Sequence, residues 1–277
     1  MNVGVSNNQS TIITDCSQPL IGLDAIRIVL VATTHPGNIG ASARAMKTMG
    51  LSELILVTPQ HYPGVEATAR ASGADDILYR ARVVDTLDQA LQGCVLVVGT
   101  SARPRGLSSP ELEPRQAAQV LLATASQAPV ALVFGRESSG LSNDELDRCH
   151  YTVQIPANPR FSSLNLAAAV QILSYELRQQ ALVGQSASPP LKTALPAPAE
   201  EVEGFYQHLQ TVLLQTGFLD PDNPRHLMRR LRNVFNRAQP SHSEINILRG
   251  VLSSVQRPQL RKSTLDPISQ DDSIRKD

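Results

Sequence analysis

Short apolar runs alternate with helical segments through residues 25 to about 182, and this alternation limits the fold more than any other feature of the chain. Three of the runs are IRIVLV at Ile26–Val31, ELILV at Glu53–Val57 and VALVF at Val130–Phe134. Strands that are apolar on both faces are typical of a parallel sheet buried between two layers of helices. The sequence therefore predicts an α/β domain whose parallel sheet carries helices on both faces.

Loops rich in glycine and small polar residues follow several of these strands. Two of the loops carry Gly99, Thr100, Ser101 and Arg103, and Gly135, Arg136, Glu137 and Gly140. In α/β proteins, ligands bind beyond the carboxyl ends of the strands, which is where such loops lie. None of the loops matches G-x-G-x-x-G or a P-loop, so neither a dinucleotide nor a triphosphate is indicated.

Residues 155–177 combine the end of a short strand, a loop with two prolines and a long helix. Residues 152–155 suit a strand, and Ser162 or Ser163 can cap the helix that follows. Apolar residues recur there at three- and four-residue spacing, as on a core-facing helix: Leu166, Ala169, Val170, Leu173 and Leu177. Taken alone, this segment could equally be an ordinary strand-to-helix connection.

A helix is also predicted after the first strand, beginning near Asn38 and ending at Gly50. Asparagine is a favourable N-cap residue, and glycine often ends a helix because it adopts a left-handed conformation without strain.

Three motifs in these loops resemble those of the SPOUT superfamily, in particular its SpoU (TrmH-like) branch of RNA ribose 2′-O-methyltransferases. The first motif comprises Asn38, Gly40 and Arg44; the second comprises Phe134, Gly135, Glu137, Gly140 and Leu141; the third comprises Ile155, Pro156, Ser163, Leu164 and Asn165. The sequence segments GTSAR, FGRESSGL and ANPRFSSLNLA are similar to those of the TrmJ subgroup. The similarity extends from about residue 26 to about residue 255, with Pro159 standing where the broader family often has glycine.

The resemblance implies S-adenosylmethionine-dependent methylation of the ribose of the pyrimidine, cytidine or uridine, at tRNA position 32. It also implies a deep trefoil knot that forms the cofactor pocket, and a homodimer in which Arg44 reaches the pocket of the other subunit. By position in the family's motifs, the pocket residues would be Thr100, Ser101, Ala102, Gly135, Ile155, Ser162, Ser163 and Leu164.

Arg44 stands at the motif position that the family uses for catalysis. A ribose hydroxyl is a poor nucleophile, so methyl transfer requires alignment, removal of the proton and stabilisation of the developing oxyanion. Because a guanidinium stays protonated in proteins, we favour a positioning and charge-stabilising role for Arg44 over that of a base. The alternative is an ordinary arginine on a helix surface.

Asn38 and Glu137 complete the set of candidate catalytic residues. Asn38 could position the substrate or cap its helix, and Glu137 could anchor Arg44 or the facing loop, or form a structural pair with Arg136. Asn165 is expected to fix the loop before the long helix through side-chain-to-backbone hydrogen bonds.

Positive charge is concentrated near the carboxyl terminus, although the formal net charge of the whole chain is zero. Residues 224–262 hold nine lysines or arginines and one acid, Glu244. A basic face on a neutral protein is typical of a surface that binds a phosphate backbone. The predicted RNA-binding residues are Arg225, Arg229, Arg230, Arg232 and Arg237; the alternative is a solvated helix face. Clustering of Arg229, Arg230 and Arg232 favours RNA, because neighbouring like charges are mildly destabilising without a polyanion.

The chain divides into five parts. We expect a flexible leader at 1–24, the α/β domain at 25–182, a proline-rich linker at 183–200, a small helical domain at 201–256 and a disordered tail at 257–277. In the helical domain, one helix should end at Gly217, and Ser241 with Glu244 forms a capping box for the last helix.

Several classes of protein are disfavoured. No apolar run reaches the eighteen or so residues of a membrane span, and no signal peptide is recognisable, so a cytoplasmic location is expected. Cys16, Cys94 and Cys149 show no zinc-binding spacing, so neither a metal nor a disulfide framework is expected, and Cys94 and Cys149 suit core positions. Two other functions stay open: the same chemistry on another RNA such as ribosomal RNA, and a non-catalytic RNA-binding module.

Overall fold

The computed structural model describes residue 20 and residues 22–102, 109–184, 195–222 and 226–256. Most of the predicted leader and linker, the predicted tail at 257–277, Cys16, Arg103 and Arg225 lie outside these residues. Among the described residues, the seven strands are β1 Ile26–Val31, β2 Glu53–Val57, β3 Arg82–Val84, β4 Leu96–Thr100, β5 Glu111–Leu112, β6 Val130–Phe134 and β7 Tyr151–Val153.

The strands form one sheet in the order β3-β2-β1-β6-β4-β7-β5, and every pairing is parallel. The helices of this part of the chain are α1 Pro36–Met49, α2 Val65–Ala71, α3 Asp75–Arg80, α4 Leu87–Leu91, α5 Pro114–Ala125, α6 Asn143–Leu146 and α7 Leu166–Gly184. We call the part that contains β1–β7 and α1–α7 the sheet region.

Successive residues of the central strands enter two different cores. In β1, Ile28 and Leu30 pack with residues of α1, α5 and α7, whereas Val29 and Val31 pack with residues of α4 and α6. This division follows from the two-residue period of a strand, which turns alternate side chains to opposite faces. The predicted parallel sheet with helices on both faces is therefore confirmed, with β1, β2 and β6 at the predicted residues.

Two predicted boundaries were wrong. The strand expected at 152–155 ends at Val153, although the Gln154 amide still donates a hydrogen bond to Leu112 O at 3.2 Å. Helix α1 begins at Pro36 rather than Asn38, because proline suits the first helical position and leaves His35 as the N-cap residue.

Two predicted helix ends are confirmed. Gly50 follows the last residue of α1 and is left-handed with φ 85°. Gly217 follows the C-cap residue of the first helix of the carboxyl-terminal part and is left-handed with φ 72°.

The carboxyl-terminal part contains α8 Ala199–Gln215, α9 Leu227–Ala238 and α10 His242–Gln256, which we call the helical region. Its core centres on three aromatic rings: Phe205 lies 5.4 Å from Tyr206 and 4.9 Å from Phe235 between ring centroids. The capping box of α10 is confirmed, because the Ser241 amide donates to Glu244 Oε2 at 2.7 Å and the Glu244 amide donates to Ser241 Oγ at 3.4 Å.

Cys94 and Cys149 are both fully buried thiols in the sheet region, as expected. Within the described ranges, no helix combines the length and the apolar character that crossing a membrane requires.

His150, which lies between α6 and β7, makes the stability of the fold sensitive to acid. Its Nδ1 accepts a hydrogen bond from the Val97 amide at 3.1 Å, and only 4% of the residue is exposed. Burial lowers the pKa of this imidazole from 6.5 to about 4. Below pH 6.5 the unfolded chain therefore binds a proton that the folded chain does not, and stability falls as the pH drops towards 4.

We expect His150→Asn to reduce this loss of stability, because the Asn amide oxygen can replace Nδ1 as the acceptor but does not titrate. Urea unfolding between pH 7.5 and about 4 would measure the effect as a shallower dependence of the unfolding free energy on pH. Replacing the exposed His61 by Asn is the matched control and should leave the dependence unchanged. Equal slopes for the wild type and His150→Asn would contradict the assignment.

Candidate functional site

The carboxyl ends of three adjacent strands, β6, β4 and β7, open onto a pocket of about 420 Å³. All eight predicted cofactor residues line it: Thr100, Ser101, Ala102, Gly135, Ile155, Ser162, Ser163 and Leu164. Further lining residues include Ser138 and Ser139, which the sequence did not single out, and Val153, Leu166 and Ala169, which the sequence assigned to a strand and to the core-facing side of a helix. Ser138 and Ser139 lie inside the second motif, so their position beside Glu137 was the signal that could have identified them.

The loop after β6 is a tight turn that forms one wall of the pocket. Arg136 and Gly140 exchange two backbone hydrogen bonds, of 3.2 and 2.9 Å. This pairing brings Gly135 against the returning chain, and a Cβ atom on Gly135 would lie 2.1 Å from the carbonyl carbon of Gly140. A side chain therefore cannot be accommodated at Gly135 while the turn keeps its shape.

Arg136 lines the pocket, but its charge is neutralised within the chain. Its guanidinium donates two hydrogen bonds to the Glu145 carboxylate, at 2.9 and 3.0 Å. Burial alone would raise the pKa of Glu145, but the hydrogen bonds from Arg136 and Ser142 and the charge of Arg136 together outweigh burial, and the pKa is lowered. The possible pair between Arg136 and Glu137 is thus not formed. No other lysine, arginine or histidine is among the described residues that line the pocket.

Glu137 holds the loop that joins β1 to α1. Its carboxylate accepts hydrogen bonds from the Thr34 amide at 3.1 Å, Thr34 Oγ1 at 3.0 Å, the His35 amide at 3.2 Å and Asn38 Nδ2 at 2.9 Å. Burial would raise the pKa of Glu137, yet these hydrogen bonds and its own backbone amide lower it to about 2. Of the roles left open by the sequence, the structure therefore favours an anchor for the facing loop.

The side chains of Asn38 and Asn165 extend this network to α7. Asn165 Nδ2 donates to Asn38 Oδ1 at 2.9 Å, while Asn165 Oδ1 accepts hydrogen bonds from the amides of Ala167 and Ala168 at 2.9 and 3.4 Å. Asn165 is thus the residue that caps α7, and the prediction that Ser162 or Ser163 does so was wrong. The capping role predicted for Asn38 was also wrong, since its amide is engaged by Glu137 and Asn165.

Arg44 is not brought into the pocket of its own chain. It lies six residues beyond Asn38 on α1, which corresponds to about 9 Å along the helix axis. The residue is exposed, and its guanidinium makes no hydrogen bond or ion pair with any residue that the structure describes. Arg44 is therefore free to contact a group supplied by another molecule.

The arginines of α9 are divided between paired and exposed side chains. Arg229 Nε lies 2.9 Å from both carboxylate oxygens of Asp147. Arg232 donates to both oxygens of Glu203, at 2.6 and 2.8 Å, and its guanidinium lies 4.3 Å from the centroid of the Tyr206 ring. Arg230 and Arg237 are exposed. The inference that clustering requires a polyanion was therefore wrong for Arg229 and Arg232, because acids elsewhere in the chain neutralise them.

The described residues contain no group of three or more histidine, cysteine, aspartate or glutamate side chains placed to hold a metal ion.

Two family models match the chain. One, described as the SpoU rRNA Methylase family, matches residues 25–175, and the other, described as the TrmJ C-terminal domain of a tRNA methyltransferase, matches residues 200–264. The first match covers the strands and loops that form the pocket, and the second covers α8–α10.

Similar proteins and structures cover the same span. A Pectobacterium atrosepticum protein named tRNA (cytidine/uridine-2′-O-)-methyltransferase TrmJ is 57% identical over 236 residues, or 85% of this chain and 98% of that protein. A Pseudomonas aeruginosa protein named tRNA (cytidine/uridine/adenosine-2′-O-)-methyltransferase TrmJ is 53% identical over 245 residues, covering 85% of this chain and 95% of that protein. The crystal structure of TrmJ from Z. mobilis has a TM-score of 0.74 at 36% identity, covering 83% of this chain and 99% of that one.

Proposed function

Because this chain belongs to the SpoU methylase family and carries the TrmJ carboxyl-terminal domain, we propose that it methylates the ribose 2′-hydroxyl of tRNA with S-adenosylmethionine as the donor. The observation that carries the proposal is the convergence of all eight expected cofactor residues on one pocket. Relatives that are 53–57% identical are named as tRNA 2′-O-methyltransferases. The proposed target is the pyrimidine at position 32 of the anticodon loop.

The pocket has the chemistry that S-adenosylmethionine requires. When bound, this cofactor supplies an electrophilic methyl group on a positively charged sulfur. The described lining is made of small hydroxyl residues, apolar side chains and backbone, with Arg136 neutralised by Glu145 and Glu137 present as a carboxylate. A cationic ligand would therefore meet no unpaired positive charge from these residues, and Ile155, Leu164 and Leu166 would supply apolar surface to hold it.

Arg44 is the residue that we assign to the reacting ribose. Its guanidinium would contact the hydroxyl and the adjacent phosphate and stabilise the negative charge that develops on the oxygen. Since Arg44 lies outside the pocket of its own chain, we propose that two chains form a homodimer in which it serves the partner's pocket. Glu137 and Asn38 would act as positioning residues, because their side chains hold the start of α1 through Thr34, His35 and Asn165.

The organisation of the chain is part of the same proposal. We propose a methyltransferase domain at 25–182, a linker at 183–200 and an RNA-binding helical domain at 201–256. The matches of the two family models to residues 25–175 and 200–264 support a division into two domains. We also propose that the segment from β7 through α7 closes the family's trefoil knot around the pocket.

Methylation of ribosomal RNA is the second candidate, because the description of the first family model names that substrate. The match of residues 200–264 to the TrmJ domain favours tRNA instead. A non-catalytic RNA-binding module is disfavoured by the intact pocket and by the exposed Arg44.

We expect the purified protein to transfer a methyl group from S-adenosylmethionine to unmodified tRNA, at position 32. Mapping of ribose methylation on tRNA and ribosomal RNA incubated side by side would locate the product. Ser162→Trp, which fills the pocket, should abolish both cofactor binding and transfer. Ala123→Trp, on the exposed side of α5, is the matched control and should retain both.

Two outcomes would overturn the proposal. Methylation confined to ribosomal RNA would replace the tRNA assignment by the second candidate. An absence of S-adenosylmethionine binding in isothermal titration of the intact protein would favour the non-catalytic module.

A further inference from the structure

Helix α9 presents three different faces to its surroundings. One face is apolar and packs on the core of the helical region through Met228, Leu231 and Phe235. The other two faces are polar, and they separate the arginines of this helix into two groups. This separation follows from the geometry of the helix, in which residues four and seven positions apart lie on the same side.

The second face of α9 is attached to the sheet region. Arg229 forms its ion pair with Asp147, and the two side chains are only 20% and 18% exposed. Two turns further on, Asn236 is 4% exposed and donates from Nδ2 to Cys149 O at 3.1 Å. The Asn236 amide oxygen accepts a hydrogen bond from the Tyr206 hydroxyl at 2.7 Å, so both ends of the amide are engaged.

The third face of α9 is turned towards solvent. Arg230, Val234 and Arg237 occupy it at four- and three-residue spacing, and Val234 is 50% exposed. Neither Arg230 nor Arg237 forms an ion pair with any residue in the described ranges. These two cations therefore keep their full charge available for a polyanion, unlike Arg229 and Arg232.

The attachment point of the second face lies on the chain that leads into β7. Asp147 and Cys149 come shortly before the amino end of β7, and the pocket lies beyond its carboxyl end, where Ile155 and Ser162 line it. The carbonyl of Cys149 also accepts a hydrogen bond from Ser109 Oγ at 2.6 Å. Helix α9 is thus attached at one end of a strand whose other end opens onto the pocket.

We propose that α9 acts as a two-sided adaptor, in which Arg229 and Asn236 fix the helical region on the sheet region while Arg230 and Arg237 contact RNA phosphates. Arg229 and Asn236 are then positioning residues that hold the bound RNA at a fixed distance from the pocket. The phosphate contacts rest on the proposed function, whereas the attachment through Arg229 and Asn236 does not. Arg229, although clustered with Arg230 in sequence, is removed from the set of RNA-contacting residues.

The salt dependence of tRNA binding distinguishes the two groups of arginines. The logarithm of the tRNA association constant falls linearly with the logarithm of the salt concentration, because each phosphate contact releases counterions. Losing one contact makes this slope shallower by about 1. We expect the slope to become shallower by about this amount, and tRNA binding to weaken, in each of the variants Arg230→Gln and Arg237→Gln. Arg229→Gln should leave the slope unchanged, and an equal loss of slope in Arg229→Gln would overturn the division. Binding is measured by filter retention, so the result does not depend on methyl transfer.

A charge swap tests the attachment. We expect Arg229→Asp and Asp147→Arg each to lower kcat/KM for tRNA by about fivefold with an unchanged dissociation constant for S-adenosylmethionine, and the double variant to recover most of the loss. A phosphate-contacting Arg229 would instead leave the double variant as impaired as Arg229→Asp, which would overturn the proposal.

If either swapped variant fails to fold, the milder pair Arg229→Gln and Asp147→Asn answers the same question. In the combined variant, kcat/KM and the urea midpoint should fall no further than in the more impaired of the two single variants, because each change breaks the same contact. Additive losses would contradict the attachment. If the wild type methylated no tRNA, the proposed function would fail, while the coupling in urea midpoint would still report the attachment.

Discussion

Replacing Arg44 by alanine is expected to lower kcat for ribose methylation by about 10²- to 10³-fold, as when one donor to a developing oxyanion is removed. The dissociation constant of S-adenosylmethionine should not change, since Arg44 does not line the pocket of its own chain and is assigned to the ribose rather than to the cofactor in the partner's pocket. Single-turnover kinetics with saturating tRNA would separate the chemical step from binding. Arg44→Lys should recover part of the rate, because an ammonium keeps the charge but loses the planar fork of donors.

The matched control is Arg115→Ala, which removes an exposed arginine from α5 and should leave kcat unchanged.

Mixing chains of two variants tests whether Arg44 acts on the partner's pocket. Neither Arg44→Ala nor Ser162→Trp should be active alone, but a mixed dimer of the two would regain one intact site only if the arginine and the pocket belong to different chains. A mixture without activity, in which heterodimers have been verified, would show that Arg44 acts within its own chain.

Gly135→Ala is expected to destabilise the protein by about 3 kcal/mol or more, because the added Cβ would overlap backbone rather than a movable side chain. The atom would lie 2.1 Å from the Gly140 carbonyl carbon and 2.2 Å from the Leu141 nitrogen. For a chain of this size the loss corresponds to a fall in Tm of about 6–12 °C. Calorimetry measures this change, and titration of S-adenosylmethionine should show that binding is lost with the turn.

Gly250→Ala is the control for the glycine experiment. Apart from the neighbouring backbone of α10 itself, no described residue has an atom within 4 Å of its Cβ position, and the residue is in the interior of α10. Alanine should stabilise the helix there by about 0.5–1 kcal/mol. If Gly135→Ala behaved like Gly250→Ala and kept its cofactor affinity, the tight turn after β6 would not be needed for the pocket.

The fold of the sheet region could be predicted because its signals are local. In β1, β2 and β6 a run of mostly apolar residues is bounded by polar loops, so the residues that form the strand also show where it ends. The pocket residues could be assigned by position because the loops after β6 and β7 carry two of the family's motifs and the loop after β4 carries the GTSAR segment.

What the sequence could not show depends on partners that are distant along the chain. Asn38 was expected to cap its own helix, yet its side chain bonds a carboxylate 99 residues away. Arg229 was assigned to RNA because its acidic partner, Asp147, lies 82 residues earlier and no local pattern indicates the pair. In both cases the side chain has several possible partners of the right chemistry, and tertiary structure decides among them.

The order of strands in the sheet determines when the pocket can form during synthesis of the chain. Its walls are supplied by residues 100–102, 134–140 and 153–169, and the strands that position them are neighbours in space but not in sequence. A growing chain that has not yet added α7 lacks Leu166 and Ala169 of the third wall, so its binding site is incomplete. Affinity for the methyl donor is thus a property of the finished chain, and its appearance during synthesis marks the moment at which the sheet and α7 are both in place.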